Sequence, residues 1–171
     1  MKLVEIKTED LLIRNFKITD INKSYIKWLN NKKLLKYSIN KFKNFKKKDC
    51  FIYLKSFTKS NNLFLSIKNK KSELIGTITC NFSNNNKICD IGILVGNEKY
   101  RSKGFGYKAW IKIMNFLEKN YNLKKISAGT VKGNTQMLRI FNKSGMIYDG
   151  YRKKNFYMKK LIDIIFYAKY L

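Results

Sequence analysis

The sequence lacks histidine and proline and has only three cysteines among its 171 residues. Without histidine, it can hold no Ser-His-Asp or Cys-His catalytic site, no histidine general base and no zinc site with histidine ligands. Cys50, Cys80 and Cys89 are odd in number and form no CxxC motif. Such cysteines are typical of reduced, half-buried thiols, so the sequence predicts a cytoplasmic protein without a resident metal.

Long apolar runs are absent as well. No stretch reaches the about 20 residues that a membrane-spanning helix needs, and the opening residues MKLVE do not follow the pattern of a signal peptide. We therefore expect no membrane partner.

Acidic residues are few: 11 Asp and Glu stand against 37 Lys and Arg, for a net charge of +26. Only four of the basic residues are arginine, although proteins that read bases or clamp phosphates favour this planar, bidentate side chain. The excess of Lys, Asn, Ile, Phe and Tyr is typical of a coding sequence rich in adenine and thymine. The charge therefore predicts attraction of anionic ligands without specific recognition of nucleic acid.

A nucleic-acid-binding module is the alternative from a different class. The segment 36–48, KYSINKFKNFKKK, interleaves aromatic with basic residues, as surfaces that bind single strands do. The same aromatic residues serve equally well as core anchors, and the sequence has neither an RNP-type nor a zinc-finger pattern.

Apolar and aromatic residues are abundant, at 44% and 15% of the chain. These classes are scarce in disordered chains, and the length suits one ordinary domain, so residues 1–171 are predicted to form a single domain. The hydrophobic period alternates between strand and helix in an order typical of an α+β domain around one mixed sheet. Strands are predicted over 2–7, 11–16, 62–95 (an antiparallel meander), 124–131, 146–157 and 160–169. Helices are predicted after Thr19 as N-cap, over 46–60, over 107–121, and from Asn134 as N-cap to Gly145.

The segment that carries chemistry runs from Asp90 to Ala109. In it a strand enters a loop with Gly104 and Gly106, and a helix begins at once. The free N–H groups and positive dipole end of a helix N-terminus attract anions, and glycine lets the backbone approach a phosphate. The residues RSK at 101–103 add charge and donors. The loop therefore predicts a pyrophosphate cradle, although it matches neither the Walker motif nor the GxGxxG dinucleotide motif.

This RSKGFG loop matches the R/Q-x-x-G-x-G/A acyl-coenzyme A signature of the GNAT N-acetyltransferases. The opening LLIRNFKITD resembles the L-x-L-R-x-x-x-x-x-D run of the subfamily that includes ribosomal-protein alanine acetyltransferases and amino-sugar N-acetyltransferases. ELIGTITC and CDIGILV resemble its central hairpin, and the tail from NKSGMIYDGYR onward resembles its closing run. Agreement of loop, hairpin and tail in order makes the resemblance much more specific than the loop alone.

The resemblance implies a single GNAT domain, with a mixed sheet of about seven strands splayed at the cofactor site and about four flanking helices. It also implies acetyl-CoA as cosubstrate, with the pantetheine between strands 88–95 and 124–131 and strand N–H groups polarising the thioester carbonyl. The residues implied to bind acetyl-CoA are Ile93, Leu94, Val95, Arg101, Ser102, Lys103, Gly104, Phe105, Gly106, Tyr107 and Asn134.

Direct attack of a neutral amine on acetyl-CoA, the reaction of the family, needs an acid to protonate the leaving thiolate. Many members use a tyrosine, but Phe141 stands at that position in this chain. Ser144, Tyr148, Tyr167 or water are the candidate substitutes.

The reaction also needs a group that takes a proton from the acceptor ammonium. Asp90 stands where relatives often carry an acid ahead of the cofactor strand, and strand alternation places it on the same face as Gly92. Asp163 matches an acidic position of the family tail, where it would hold the acceptor amine or pair with a surface lysine. Glu73 and Glu98 are further candidates.

The sequence thus predicts an acetyl-CoA-dependent N-acetyltransferase whose acceptor is the amino group of a small molecule, such as a nucleotide-linked amino sugar. A second anionic ligand of this kind suits the net charge of +26. A protein N-terminus as acceptor, and a degenerate member that binds acyl-CoA without turnover because of Phe141, stay open. A homodimer is open as well.

Overall fold

The computed structural model describes residues 3–171, so the start of the first predicted strand, at residue 2, lies outside the described residues. The described chain forms one eight-stranded sheet with four α-helices packed on it. The strands are β1 (Glu5–Lys7), β2 (Leu11–Asn15), β3 (Leu63–Asn69), β4 (Leu74–Ser83), β5 (Ile88–Val95), β6 (Lys125–Val131), β7 (Ile147–Met158) and β8 (Lys160–Tyr170). The helices are α1 (Lys23–Leu29), α2 (Lys47–Thr58), α3 (Phe105–Asn120) and α4 (Thr135–Lys143).

The strands lie in the order β1-β2-β3-β4-β5-β6-β8-β7. The first five form the predicted antiparallel meander, in which Leu65, Ile78 and Ile93 lie opposite one another across β3, β4 and β5. The connection through α3 makes β6 parallel to β5, and the final antiparallel hairpin inserts β8 between β6 and β7. The predicted mixed α+β sheet is confirmed, with eight strands because the opening segment forms two short ones.

Two hydrophobic clusters occupy the two faces of the sheet. The larger contains the apolar positions of α3 and α4, with Trp110 and Phe141 fully buried against the sheet. The smaller contains the aromatic and aliphatic side chains of α1 and α2. Along β5 the faces alternate: Ile91 and Ile93 belong to the larger cluster, and Leu94 packs against the smaller. Strand β5 therefore separates a region walled by α3 and α4 from one walled by α1 and α2.

Helix α1 starts differently from the prediction. Thr19 lies in a short 3-10 turn, Ile18–Asp20, and Asn22 is the N-cap, with its Oδ1 accepting a hydrogen bond from the Tyr25 N–H at 2.9 Å. The prediction of Thr19 as the cap is wrong because Asp20 accepts from the Lys17 N–H and closes this turn before the helix begins. Helices α2 and α3 begin within two residues of the predicted starts, and Asn134 caps α4 as expected.

Asp20 is the centre of a buried ion cluster that attaches this turn to the sheet. Its side chain is 2% exposed and forms ion pairs with Arg14 of β2 at 2.8 Å and Lys68 of β3 at 3.1 Å. Burial favours the protonated carboxyl, but hydrogen bonds from Arg14, the Lys17 N–H and Lys68 outweigh it and lower the pKa of Asp20. The cluster explains why the opening motif pairs an arginine with an aspartate six residues on.

No helix within residues 3–171 has the length and apolar character to cross a membrane. The same residues contain no group of three or more His, Cys, Asp or Glu side chains placed to hold a metal ion. The three cysteines are buried and free.

Candidate active site

Strands β5 and β6 diverge at the centre of the sheet. Their parallel pairing covers only Ile88 to Asp90 opposite Lys125 to Ser127, whereas β6 stays paired with β8 as far as Val131. The C-terminal half of β5 thus leaves β6 while keeping its pairing with β4. A sheet that opens in this way leaves backbone N–H and C=O groups along the gap for another extended molecule.

A cavity of about 580 Å³ opens beside this divergence. Its walls are the end of β5, the loop before α3, the first turn of α3, one side of α4 and the segment 33–38. Five basic side chains line it: Lys33, Lys36, Arg101, Arg139 and Lys143. Among the described residues that form its walls there is no carboxylate, so the cavity presents a positive field to an anionic ligand.

The loop before α3 brings backbone to the wall of this cavity. Gly104 is the N-cap of α3 with φ of +82°, and a Cβ added there would meet no atom within 4 Å. Because this left-handed conformation costs a residue with a Cβ about 1–2 kcal/mol, the position suits glycine. Ser102 Oγ accepts a hydrogen bond from Gln136 Nε2 of α4 at 3.3 Å, which joins the loop to the opposite wall.

These features fit the cosubstrate that the sequence resemblance implies: cations and a helix N-terminus suit phosphates, and an unpaired strand edge suits an amide-bearing arm. Nine of the eleven residues predicted to bind it line the cavity. Lys103 is exposed outside it, and the Phe105 ring packs on Tyr100 with centroids 5.1 Å apart. Asn134 lines the cavity, but its amide is engaged as the cap of α4 and with Thr130 Oγ1 at 2.9 Å.

A second cavity, of about 420 Å³, lies on the α1 and α2 side of β5. Aromatic side chains and hydroxyl groups dominate its walls: Tyr25, Phe45, Tyr53, Phe64, Ser38, Thr77 and Thr79. Both cavities are lined by Leu35, Ser38, Ile93 and Leu94. The two spaces therefore meet at the part of β5 that has left β6. We call the first the cofactor cavity and the second the acceptor cavity.

The acceptor cavity holds one carboxylate, Asp49, and one basic group, Lys43, among its described lining residues. Asp49 sits in the first turn of α2, where its Oδ2 accepts a hydrogen bond from the Lys46 N–H at 2.7 Å. The sequence did not indicate Asp49 as a site residue. The signal in the sequence was only that of a capping residue, and nothing in the local pattern indicates that the start of α2 faces a cavity.

Asp90 lies where β5 begins to leave β6. Its Oδ2 accepts a hydrogen bond from Ser127 Oγ of β6 at 3.1 Å. Although the side chain keeps exposed surface, burial between the neighbouring strands raises the pKa of Asp90, and the Ser127 hydrogen bond opposes this only in part. Asp90 is two residues before Gly92 on the same face, and Gly92 lines the acceptor cavity.

The candidate acids lie away from both cavities. Phe141 is fully buried between Trp110 and Tyr167, with ring centroids 5.6 and 5.1 Å away. Tyr148 is 56% exposed on β7, with its ring 6.2 Å from that of Tyr167. The Ser144 hydroxyl donates to the Phe141 carbonyl at the end of α4. None of these residues lines the cavities.

The other predicted carboxylates have local partners. Asp163 Oδ1 accepts a hydrogen bond from the Lys154 N–H at 2.9 Å, beside an irregular stretch of β7, and Asp163 does not line either cavity. Glu98 pairs with Arg101 at 2.5 Å in the loop before α3. Glu73 accepts hydrogen bonds from the same loop.

The aromatic residues of 36–48 do not form a row of exposed rings. The Tyr37 hydroxyl donates to the Gly133 carbonyl at 3.0 Å, and Phe45 packs on the smaller hydrophobic cluster. Only Phe42, at 62% exposure, presents a large ring to solvent in this segment. Successive exposed rings are what a stacking surface for bases requires.

Comparison with known proteins is consistent with this geometry. The family model for the acetyltransferase (GNAT) domain matches residues 10–147. A GNAT-family acetyltransferase from Bacillus anthracis is 24% identical, with 98% of each chain covered and a TM-score of 0.83. A ribosomal-protein alanine acetyltransferase from Vibrio fischeri is 21% identical, with 98% of this chain and 96% of that chain covered and a TM-score of 0.79.

A microcin self-immunity acetyltransferase, solved in complex with acetyl-CoA and AMP, is 17% identical, with 96% of this chain and 94% of that chain covered and a TM-score of 0.83. No curated protein sequence matches the chain. At these identities the solved structures establish the fold, and the family model covers most of the sequence. The chain therefore belongs to the GNAT acetyltransferase family.

Proposed function

We propose that this acetyltransferase moves an acetyl group from acetyl-CoA to the amino group of a small molecule that also carries an anionic group, such as a nucleotide-linked amino sugar. The observation that carries the proposal is the meeting of a cationic cavity and a hydroxyl-rich cavity at Ile93 and Leu94. Two reactants bound on the two sides would meet at one strand, which supplies proximity without a covalent intermediate.

The cofactor cavity would bind acetyl-CoA through its phosphates and its amide arm. Gly104 and the first N–H groups of α3 would face the pyrophosphate, with Arg101 and Ser102 beside it. Backbone groups of Ile93, Leu94 and Val95 would pair with the pantetheine along the open edge of β5. An N–H of the same strand would polarise the thioester carbonyl. Bound there, acetyl-CoA supplies the activated acetyl group.

The acceptor cavity supports a zwitterionic acceptor. Asp49 would pair with an ammonium group and Lys43 with a phosphate, while the hydroxyl and aromatic walls suit a sugar. A polyamine would carry only positive charge into a chain of net charge +26, which costs electrostatic energy. The nucleotide in the structure of the microcin self-immunity acetyltransferase supports an acceptor with a nucleotide part.

The reaction needs a group that takes a proton from the acceptor and a source of a proton for the leaving thiolate. We propose that Asp90, directly or through a water molecule, takes a proton from the acceptor ammonium, because it lies two residues before Gly92 of the acceptor cavity and burial raises its pKa, which makes it a better proton acceptor. The nitrogen lone pair then forms the N–C bond, the C–S bond breaks with its electron pair on sulfur, and the proton that the nitrogen loses as the amide forms passes through water to the thiolate of coenzyme A. Because the acid candidates lie away from the cavities, water is the proposed proton source, while Tyr148 and Asp163 stay predictions.

The experiment that tests the proposed function follows the release of free thiol. The protein is incubated with acetyl-CoA and, separately, with UDP- and dTDP-linked amino sugars, free amino sugars, spermidine and peptides. We expect the largest acceptor-dependent rate with a nucleotide-linked amino sugar. A preference for peptides would favour the protein N-terminus as acceptor. Binding of coenzyme A with no turnover on any acceptor would favour a degenerate member of the family.

A homodimer stays a prediction of the sequence. Strand β7 is an edge of the sheet, with Tyr148, Tyr151 and Tyr157 exposed along it. Size-exclusion chromatography with light scattering measures the assembly state directly.

A further inference from the structure

A polar network lies beside the loop before α3, and its central residue, Glu73, does not line the cofactor cavity. Glu73, in the turn between β3 and β4, accepts three hydrogen bonds. Asn97 Nδ2 donates to its Oε1 at 2.8 Å, and the Tyr100 hydroxyl and Asn69 Nδ2 donate to its Oε2 at 3.1 and 3.0 Å. Asn69 Nδ2 also lies 2.6 Å from the Tyr100 oxygen.

Each partner of Glu73 has a defined place. Asn69 is only 9% exposed, and its Oδ1 accepts from the N–H groups of Lys71 and Glu73, which fixes the turn. Asn97 is the N-cap of the 3-10 turn Glu98–Tyr100, with its Oδ1 accepting from the Lys99 N–H at 3.1 Å. Glu73 therefore accepts a hydrogen bond from the side-chain amide of the residue that caps this turn. The turn belongs to the loop before α3 and leads directly to Gly104.

The loop has other restraints as well, since Arg101 pairs with Glu98 and Ser102 accepts a hydrogen bond from Gln136. Its start is fixed by the N–H groups of Gly96 and Asn97, which donate to the Ile75 carbonyl at 3.0 and 3.2 Å. Further along, the Tyr100 ring packs on Phe105, and Tyr100 lines the cofactor cavity. Glu73 thus reaches both the beginning of the 3-10 turn, through Asn97, and its end, through Tyr100.

We propose that Glu73 is a positioning residue for the cosubstrate: by holding Asn97 and Tyr100 it presets residues 96–104 in the form that binds coenzyme A. The inference rests on the proposed use of acetyl-CoA. It also assigns Glu73 a role other than proton acceptor. If the loop is already ordered before coenzyme A binds, none of the binding free energy is lost to ordering it.

Electrostatics alone predict the opposite effect. Glu73 is a negative charge beside a loop that would bind phosphates, so neutralising it should strengthen binding of an anion if charge were its only influence. Glu73→Gln removes the charge and leaves one carbonyl oxygen for several donors. If the loop then occupies its binding form about one-tenth of the time, the apparent affinity for coenzyme A falls about tenfold.

The test is isothermal titration of coenzyme A into the wild type and three variants. Glu118→Gln is the matched control, because Glu118 lies on α3 and pairs with Lys169 at 2.9 Å, away from the loop. Tyr100→Phe keeps the ring and removes one of the hydrogen bonds to Glu73, and it serves also if Glu73→Gln fails to fold. Melting temperatures and the KM for acetyl-CoA and kcat are measured on the same proteins.

We expect weaker binding and a higher KM for acetyl-CoA in Glu73→Gln and, to a smaller degree, in Tyr100→Phe, with kcat and melting temperature little changed. Glu118→Gln should bind as tightly as the wild type or more tightly. Equal or tighter binding by Glu73→Gln would overturn the positioning role. Failure of the wild type itself to bind coenzyme A would instead refute the proposed function, and this inference with it.

Discussion

The two cavities that meet at Ile93 and Leu94 are built from different kinds of sequence. Much of the cofactor cavity comes from one continuous stretch, the end of β5 with the loop and first turn of α3, and five basic side chains surround it. The acceptor cavity draws its walls from α1, α2, the strands β3 to β5 and the segment 35–45. Its charged groups are few, and among the described lining residues they are Asp49 and Lys43.

The difference shows which chemistry a local sequence can encode. A phosphate site needs N–H groups in succession and a glycine with left-handed backbone, and such features are contiguous along the chain. A site for an amine needs only one carboxylate in the right place. Any segment of the chain can supply that residue, so no local motif indicates it. We therefore expect changes on the cofactor side to weaken binding of one known ligand, and changes on the acceptor side to alter which amine is used and how fast it reacts.

The largest expected effect tests Asp90, which lies on β5 two residues before Gly92 of the acceptor cavity. Asp90→Asn removes the proposed proton acceptor, which typically costs about 10²–10⁴-fold in rate. The loss should shrink as the pH rises, because free amine becomes abundant without a base. The measurement is kcat against pH, and near-full kcat at neutral pH would make Asp90 structural.

The raised pKa of Asp90 gives the same variant a second readout. A carboxyl with a raised pKa contributes stability below its unfolded pKa and loses it as the pH rises through the folded one. Asp90→Asn should therefore melt at a higher temperature than the wild type at neutral pH, and this advantage should fade in acid. A variant less stable than the wild type at pH 7 would contradict this assignment.

The next effect concerns the ion cluster that attaches the turn before α1 to the sheet, because Tyr25 and Leu29 of α1 line the acceptor cavity. Asp20→Asn leaves Arg14 and Lys68 without their buried partner, and breaking a buried ion pair costs about 3–5 kcal/mol. The lowered pKa of Asp20 means that its stabilisation is present above the unfolded pKa and is lost as the pH falls. Denaturant melts at several pH values should show the difference at pH 7 and its decline below about pH 4.

The cofactor side is tested by Gly104→Val. A ligand at 100 times its Kd stabilises the native protein by about 2.7 kcal/mol, which raises the melting temperature of a domain of this size by about 5–10 °C. We expect the shift with acetyl-CoA in the wild type and none in the variant, because a β-branched residue opposes φ of +82° and would fill the open space before α3. If a folded variant showed the same shift in melting temperature, the loop before α3 would not be the phosphate site.

The smallest effect separates the two cavities most cleanly. Asp49→Asn keeps an oxygen that can accept from the Lys46 N–H but removes the charge offered to an ammonium. An exposed charge-assisted hydrogen bond of about 1.5 kcal/mol corresponds to about a tenfold rise in the KM for the acceptor. The KM for acetyl-CoA should not change. Equal changes in both KM values would show that the cavities are not separate sites.

The sequence predicts the fold and most of the residues that line the cofactor cavity from the end of β5 to α3, because their signals are local. Strand alternation, the glycines at 104 and 106 and the cap at Asn134 are each visible within a few residues. The start of α1 was missed because the arginine and lysine that bind Asp20 come from strands β2 and β3. Asp49 was missed because its place in the cavity wall depends on how α2 packs on the sheet. The sequence of residues 47–58 alone does not indicate that packing.

The individual site residues show the same difference between local signals and signals that depend on packing. Nine of the eleven predicted cofactor residues line one cavity, and eight of these nine lie within one segment, residues 93–107. The acid candidates Tyr148 and Ser144 line neither cavity. Whether a side chain faces a cavity depends on how helices and strands pack together. The spacing of residues along one helix or strand does not indicate that packing.

The central claim is that donor and acceptor occupy adjoining cavities at the same time. The most direct test is a grid of initial rates over concentrations of acetyl-CoA and of the best amine from the acceptor panel. The account predicts double-reciprocal lines that intersect, because both reactants must be bound before the acetyl group moves. Parallel lines, with an acetyl group found on Cys50 in the wall of the acceptor cavity, would contradict it and indicate transfer through a covalent enzyme intermediate.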